Sequence, residues 1–337
     1  MNVSHYKYIA LLLGLILLGA SCMMAYDTLG LARNCSAKGY SDDQFLAGCT
    51  SDFFGNYERA AYLFNLEPNA VMHLRNAAVV FLGTSRPMMA FGTHAIDEIF
   101  EANHIKYYLF GFPGEGEKFP KLVMQKLGIA PQVLIINVDV LFFDGHINAD
   151  APVGNSKQNA LNANRLKKIQ QIIHSHICRS DAWTKVIDGC PDKNSIFRSR
   201  STGKWDNSSL HIAERKGAPF RFDFEIDVDL LEKQKHFARE FLDGIATPRN
   251  CIVLTTVPYT ADTPIPNVPG HLGTTEKLAE YLGVRSILPR VDGLQSYDGG
   301  SHLDAISAER YSRAFAKELM PIVNECVAEA AMKILSR

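Results

Sequence analysis

Val79-Val80-Phe81-Leu82-Gly83-Thr84-Ser85-Arg86 is an apolar run that stops at a turn of small residues and presents a serine. A run of this kind reads as a strand, here over about 78–83. Pro87 then stands where the first turn of a helix accepts proline, so a helix is expected over about 87–102. The alternation continues downstream. Residues 106–110 read as a second strand, 117–127 as a helix, and 133–138 as a third strand. Val133-Leu134-Ile135-Ile136-Asn137-Val138 is apolar almost without interruption, as strands buried on both faces are. The resulting βαβαβ order predicts an α/β fold with a mostly parallel sheet and right-handed crossovers.

Residues 144–227 break this rhythm. A long polar helix is expected over about 156–177, followed by a loop-rich stretch holding Cys178, Trp183, Cys190 and Trp205. We read it as an insertion over the sheet's functional edge, because loops at the carboxyl ends of parallel strands build ligand sites. The sheet resumes with a helix over 228–245, a strand over 251–256, a helix near 275–282 and a short run at 285–288. Tyr311, Phe315, Leu319, Ile322 and Cys326 recur at helical spacing, so a closing helix should pack this stripe on the sheet.

Just before that helix lies Ser296-Tyr297-Asp298-Gly299-Gly300-Ser301-His302-Leu303, which puts an acid and a histidine in one loop. With Ser85 they supply the residue types that acyl transfer needs. An alkyl hydroxyl is a poor nucleophile at neutral pH, so an imidazole must take its proton and a carboxylate must fix the imidazole's tautomer. Each residue also has a plainer reading. Ser85 would serve as a helix cap and His302 as a capping or surface residue beside the last helix.

The two motifs together resemble the SGNH/GDSL hydrolase superfamily, in which a serine follows the first strand and an Asp-x-x-His loop precedes the last helix. The likeness spans roughly residues 78–320. It is closest to membrane-anchored, extracytoplasmic members that act on acyl groups of envelope polysaccharides, where Gly-Ser/Thr-Ser-Arg replaces Gly-Asp-Ser. The resemblance implies a three-layer α/β/α sandwich, Ser85 as nucleophile, His302 as general base and Asp298 as the orienting acid. Asp298 stands one residue further from the histidine than the family pattern, and Asp292 or Asp304 could substitute for it. The family's oxyanion hole implies the serine amide, a glycine after the second strand, here Gly111 or Gly114, and an asparagine after the third. Overlay puts Val138 at the asparagine position, which leaves Asn137 or Asp139 to turn into the site. Losing one such donor typically costs about 100- to 1000-fold in rate. Arg86 could stabilise developing negative charge or hold an anionic group, or make a salt bridge across the first helical turn.

The chain of 337 residues, 47% hydrophobic, can bury one sizeable core. A formal net charge of -1 argues against a nucleic-acid surface, and Arg165-Leu166-Lys167-Lys168 is too short to change that. Residues 8–26 form an uncharged run about long enough to cross a bilayer core of roughly 30 Å. An uncleaved anchor is the leading reading, with a cleaved signal or a lipoprotein signal at Gly19-Ala20-Ser21-Cys22 as alternatives. All three export the remainder of the chain. The organisation expected is therefore an anchor over 1–30, a membrane-proximal collar over 31–76 and an α/β domain over 77–337 with its insertion at about 144–227.

Of seven cysteines, Cys35 with Cys49 and Cys178 with Cys190 could close local disulfides, which would fit an oxidising compartment. Cys251 and Cys326 are expected as buried thiols. There is no Cys-x-x-Cys, and His174 and His176 fall on different faces of a helix, so no metal site is expected. Trp183, Trp205, Pro258-Tyr259 and Pro264-Ile265-Pro266 would suit either sugar stacking or loop packing.

The function expected is a serine esterase or O-acyltransferase, most simply for acetyl groups, on an envelope or secreted polysaccharide, with no cofactor. Its partners would be an acylated substrate and a membrane-bound acyltransferase or polysaccharide-export protein. Alternatives are a non-catalytic glycan-binding accessory protein and a lipid esterase or thioesterase.

Overall fold

The computed structural model describes residues 12–14, 41–49, 56–147, 152–154, 156–160, 195–206, 220–222, 224–260, 271–298 and 300–335. The chain runs through β1 (Gln44–Cys49), α1 (Asn56–Leu63), α2 (Pro68–Arg75), β2 (Val79–Gly83), α3 (Ser85–Phe91), α4 (His94–Ala102), β3 (Tyr107–Gly111), α5 (Lys118–Leu127) and β4 (Val133–Asn137). It continues through β5 (Ser195–Ser199), β6 (Trp205–Asp206), β7 (Phe220–Arg221), α6 (Val228–Asp243), β8 (Ile252–Thr255), β9 (Tyr259–Thr260), α7 (His271–Leu282), β10 (Arg285–Ser286) and α8 (Ala305–Leu335).

Five strands form a parallel sheet in the order β10-β8-β4-β2-β3. The mixed α/β fold expected from the alternating elements is therefore present. Strands β2, β3 and β4 are buried along their whole length because both faces of the sheet are covered. Successive residues alternate between two cores. Val80, Leu82, Phe110, Ile136 and Leu254 face a layer that includes α1, α2, α5 and α6, while Val79, Phe81, Leu109, Ile135 and Val253 face α3, α4 and α8. In α8, Tyr311, Phe315, Leu319 and Cys326 are buried as their spacing predicts, and Val323 takes the place expected of Ile322, which is only half-buried.

The sheet starts in its middle at β2, steps to β3 on one side, and then places β4, β8 and β10 on the other. The carboxyl ends of β2 and β4 thus flank the point where winding reverses, the place where open α/β sheets build their ligand sites. Residues 87–102 form two helices rather than one. Thr93 interrupts them because its hydroxyl caps α4, accepting from the amide of Ile96 at 3.4 Å.

The collar and the insertion join in a way that local sequence does not announce. β1 pairs antiparallel with β5, and β5 with β6, in a three-stranded sheet. This sheet covers the open edge of β3. The amide of Leu109 donates to the carbonyl of Thr202 at 2.8 Å, and Arg198 of β5 donates to the carbonyls of Leu109 at 2.5 Å and Gly111 at 3.2 Å. Arg198 is fully buried and pairs at 2.6 Å with Glu58, itself fully buried. Trp205 donates to the same carboxylate at 2.8 Å and is 4% exposed, which is the packing alternative of the two weighed for it. An aromatic in β6 with its N–H satisfied inside the protein belongs to the core.

Cys251 and Cys326, expected as free thiols, form a disulfide with Cα atoms 5.8 Å apart. The bridge staples the strand entry before β8 to α8 across 75 residues of sequence, a separation at which only the fold brings the two together. Of the local pairs expected, Cys35, Cys178 and Cys190 lie outside the described residues, and Cys49 ends β1 with its side chain undescribed. Among the described residues no helix is long and apolar enough to cross a membrane. The expected 8–26 span falls almost wholly outside them, as do Trp183, His174, His176, residues 264–266 and most of the expected 156–177 helix.

Candidate active site

Ser85 opens α3 directly after β2. The turn that puts it there depends on Gly83, whose φ of 148° is unfavourable for a side chain and where a Cβ would stand 2.6 Å from Pro87 Cγ. Thr84 is the N-cap, its hydroxyl accepting from the Arg86 amide at 3.4 Å. That hydroxyl in turn donates to Asp139 Oδ2 at 2.6 Å, so the loop after β4 holds the serine's turn.

From the other end of the chain, His302 Nε2 lies 2.8 Å from Ser85 Oγ, and His302 Nδ1 lies 2.6 Å from Asp298 Oδ2. Burial alone would push the Asp298 carboxyl up. The hydrogen bond and charge of His302, with donors from Ser296 and the Gly300 amide, outweigh it and hold the group well below the usual carboxylate range. An ionised Asp298 accepts the Nδ1 proton, which leaves the Nε2 lone pair to accept from the Ser85 hydroxyl. The hydroxyl, imidazole and carboxylate thus form one continuous line.

The loop carrying the acid and base closes on itself. Ser296 bridges to Leu303, and the amide of Tyr297 donates to the carbonyl of His302 at 3.2 Å. Asp298 Oδ1 accepts from the amides of Gly300, Ser301 and His302 at 3.1, 3.0 and 3.2 Å. It also accepts from the buried Ser296 hydroxyl at 2.7 Å. This ring of donors explains the longer Asp-to-His spacing, because the carboxylate caps the turn through one oxygen and reaches the imidazole with the other. Ser296 escaped the sequence reading, although a serine two positions before an acid is a recognisable local-turn signal. Tyr297 packs on the imidazole with ring centroids 5.8 Å apart, and burial pushes its phenol up to about 12.

Asp298, and neither of the two other acids considered for this role, is the one that meets His302 Nδ1. Asp304 accepts from the Ser307 amide at 2.7 Å at the start of α8, and the Asp292 carbonyl accepts from Arg310 at 2.6 Å.

The oxyanion candidates fare unequally. Ser85's amide belongs to the first turn of α3, where helix amides lack intrahelical partners. Gly111 ends β3 against the serine's turn, and a Cβ there would lie 2.8 Å from the carbonyl oxygen of Thr84. Its amide donates to Met88 Sδ at 3.3 Å, a weak acceptor that a stronger one can displace. Gly114 offers its carbonyl to His146 Nε2 at 3.2 Å, away from this role. Asn137 is fully buried, its Oδ1 accepting from the Val257 amide at 2.8 Å and its Nδ2 3.4 Å from Asp139 Oδ2. Asp139 is a buried acceptor, taking the amides of Leu141 and Phe142 at 3.0 and 3.2 Å besides Thr84. A carboxylate so used donates nothing to an oxyanion, so Asp139 supports the site from beneath.

Arg86 makes no ion pair among the described residues, so the salt bridge weighed for it across the first helical turn is absent. It turns inward instead, 4% exposed, with its guanidinium over the Tyr259 ring. Among the described residues no cluster of side chains fits a metal ion. Neither a protein-family model nor a curated protein matches this chain.

Proposed function

We propose that the chain is an extracytoplasmic serine enzyme of the SGNH/GDSL type that moves or removes an acyl group, acetyl in the simplest case, on an envelope or secreted polysaccharide. One observation carries the reading, the unbroken line from Ser85 Oγ through His302 to Asp298 at 2.8 and 2.6 Å. The strand order, with the serine at the point where winding reverses, supports the family assignment. The Cys251–Cys326 disulfide supports export, since such bonds persist in oxidising compartments.

In this mechanism Ser85 Oγ attacks the ester carbonyl carbon while its proton passes to His302 Nε2. The tetrahedral oxyanion faces the amides of Ser85 and Gly111. Collapse breaks the bond to the alcohol oxygen, which leaves with the proton from His302. Water or a sugar hydroxyl then gives its proton to His302, attacks the acyl-enzyme and frees Ser85. Asp298 stays ionised throughout and holds the imidazolium.

A second reading, a non-catalytic glycan-binding accessory protein, draws on Asn137, whose side-chain Nδ2 donor is turned to Asp139 Oδ2 at 3.4 Å, which leaves the third oxyanion donor weakly provided. Intact-mass analysis of the purified full-length chain after exposure to a fluorophosphonate or p-nitrophenyl acetate separates the two. A single adduct on the wild type, absent from Ser85→Ala, is the expected result. A folded wild type that takes no adduct favours the binding protein.

A further inference from the structure

Arg86 and Ser85 are neighbours in sequence, and so are Ser301 and His302. The guanidinium joins these two pairs, Nε donating to the Ser301 carbonyl at 3.2 Å. Its Nη2 donates to the carbonyls of Val257 and Pro258, the latter at 2.7 Å. The guanidinium carbon sits 3.2 Å from the centroid of the Tyr259 ring, whose phenol burial pushes up. Val257 is in turn tied through its amide to Asn137 at the end of β4. One side chain therefore connects the serine's helix, the acid–base loop and the segment after β8.

Burying a charge without a counter-ion is costly. The stabilisation comes instead from an aromatic face and from carbonyls of two segments that must be held relative to the nucleophile. Among the described residues the buried Nη1 has no hydrogen-bond partner, so the fork is shaped for its carbonyl acceptors at some cost. The acid–base loop needs no help to hold Asp298 against His302, because it closes through its own Ser296, Asp298 and Leu303 contacts. What that closure leaves open is where the finished pair stands relative to Ser85.

We propose that Arg86 is the positioning residue that sets the Ser85–His302 distance, acting through the shape of its fork on backbone carbonyls and not through its charge on substrate. The inference rests on the serine-enzyme reading. Lysine would keep the charge but cannot reach carbonyls on two segments from one planar group.

The test compares full-length wild type, Arg86→Lys, Arg86→Ala and Ser85→Ala by the rate of fluorophosphonate labelling, by kcat and KM on p-nitrophenyl acetate, and by the low-field proton signal of an imidazole N–H bound to a carboxylate. Misplacement by about 1 Å costs on the order of 100-fold. Arg86→Lys is accordingly expected to label about 100-fold more slowly, with the loss in kcat, KM little changed and the low-field signal retained. Guanidinium ion should restore part of the rate to Arg86→Ala. An Arg86→Lys chain that labels at the wild-type rate overturns the proposal, because charge alone then suffices. Loss of the low-field signal together with the rate also overturns it, since Arg86 would then build the loop instead of placing it. If Arg86→Ala gives no cooperative melt, the lysine variant decides. A wild type that takes no label fails the serine-enzyme reading itself, a result distinct from any of these.

Discussion

At Asp298, burial and hydrogen bonding pull in opposite directions, and the hydrogen bonds prevail. One substitution therefore has two consequences. Asp298→Asn keeps the shape but removes the acceptor that fixes the imidazole tautomer, so labelling of Ser85 should fall by about 10⁴-fold. Stability carries the second signature. A carboxyl held below its unfolded value stabilises the fold above that value, about 3.9, and the contribution is lost as pH falls through the lowered folded value. The urea-midpoint gap between wild type and Asp298→Asn should thus be widest at neutral pH and begin to close below about pH 4. A gap unchanged from pH 7 to pH 3 would show that the carboxylate's hydrogen bonds contribute no net stability. Ser85, His302 and Asp298 are visible in the sequence because each belongs to a short local motif. The partners of Arg86 are not, because they are backbone carbonyls and every residue has one.

Among the elements, the central strands and the helices between them are legible because continuous apolar runs and helical stripes mark them. The small sheet of β1, β5 and β6 is not. Its strands come from segments some 150 residues apart, as the pairing of Gln44 with Ser199 illustrates, and polar residues are interleaved along them. Nor would composition predict that Arg198 and Glu58 are fully buried. That pair fixes the cover over β3, so removing one partner should be far worse than replacing both. Arg198→Ala should lower stability by about 3–5 kcal/mol, while Arg198→Met with Glu58→Leu should recover part of it, the remainder lost with the bonds to the Trp205 N–H and to the Leu109 and Gly111 carbonyls. Urea unfolding of the three variants reads this directly. If the single and double variants prove equally stable, the ion pair is incidental to the cover.

For the molecule as a whole, the disulfide between Cys251 and Cys326 matters most to how the ends of the fold stay together. Cross-linking over 75 residues is worth about 4.5 kcal/mol in the chain-entropy model. Peptide mapping should find both cysteines protected from alkylation in denatured, unreduced protein and modified after reduction. The double variant Cys251→Ser, Cys326→Ser should melt several degrees lower. Alkylation of both without reductant would overturn the bridge. Sequence reasoning leaves these cysteines as thiols because nothing local distinguishes a buried cysteine from a bridged one.

A parallel sheet ordinarily offers two unpaired borders on which another chain could lay a strand. Here Thr202 and Arg198 already occupy the β3 border. The opposite border is β10, two residues long, or about 7 Å of ladder. A template so short nucleates little, so templated aggregation by strand addition has almost nowhere to begin on the central sheet.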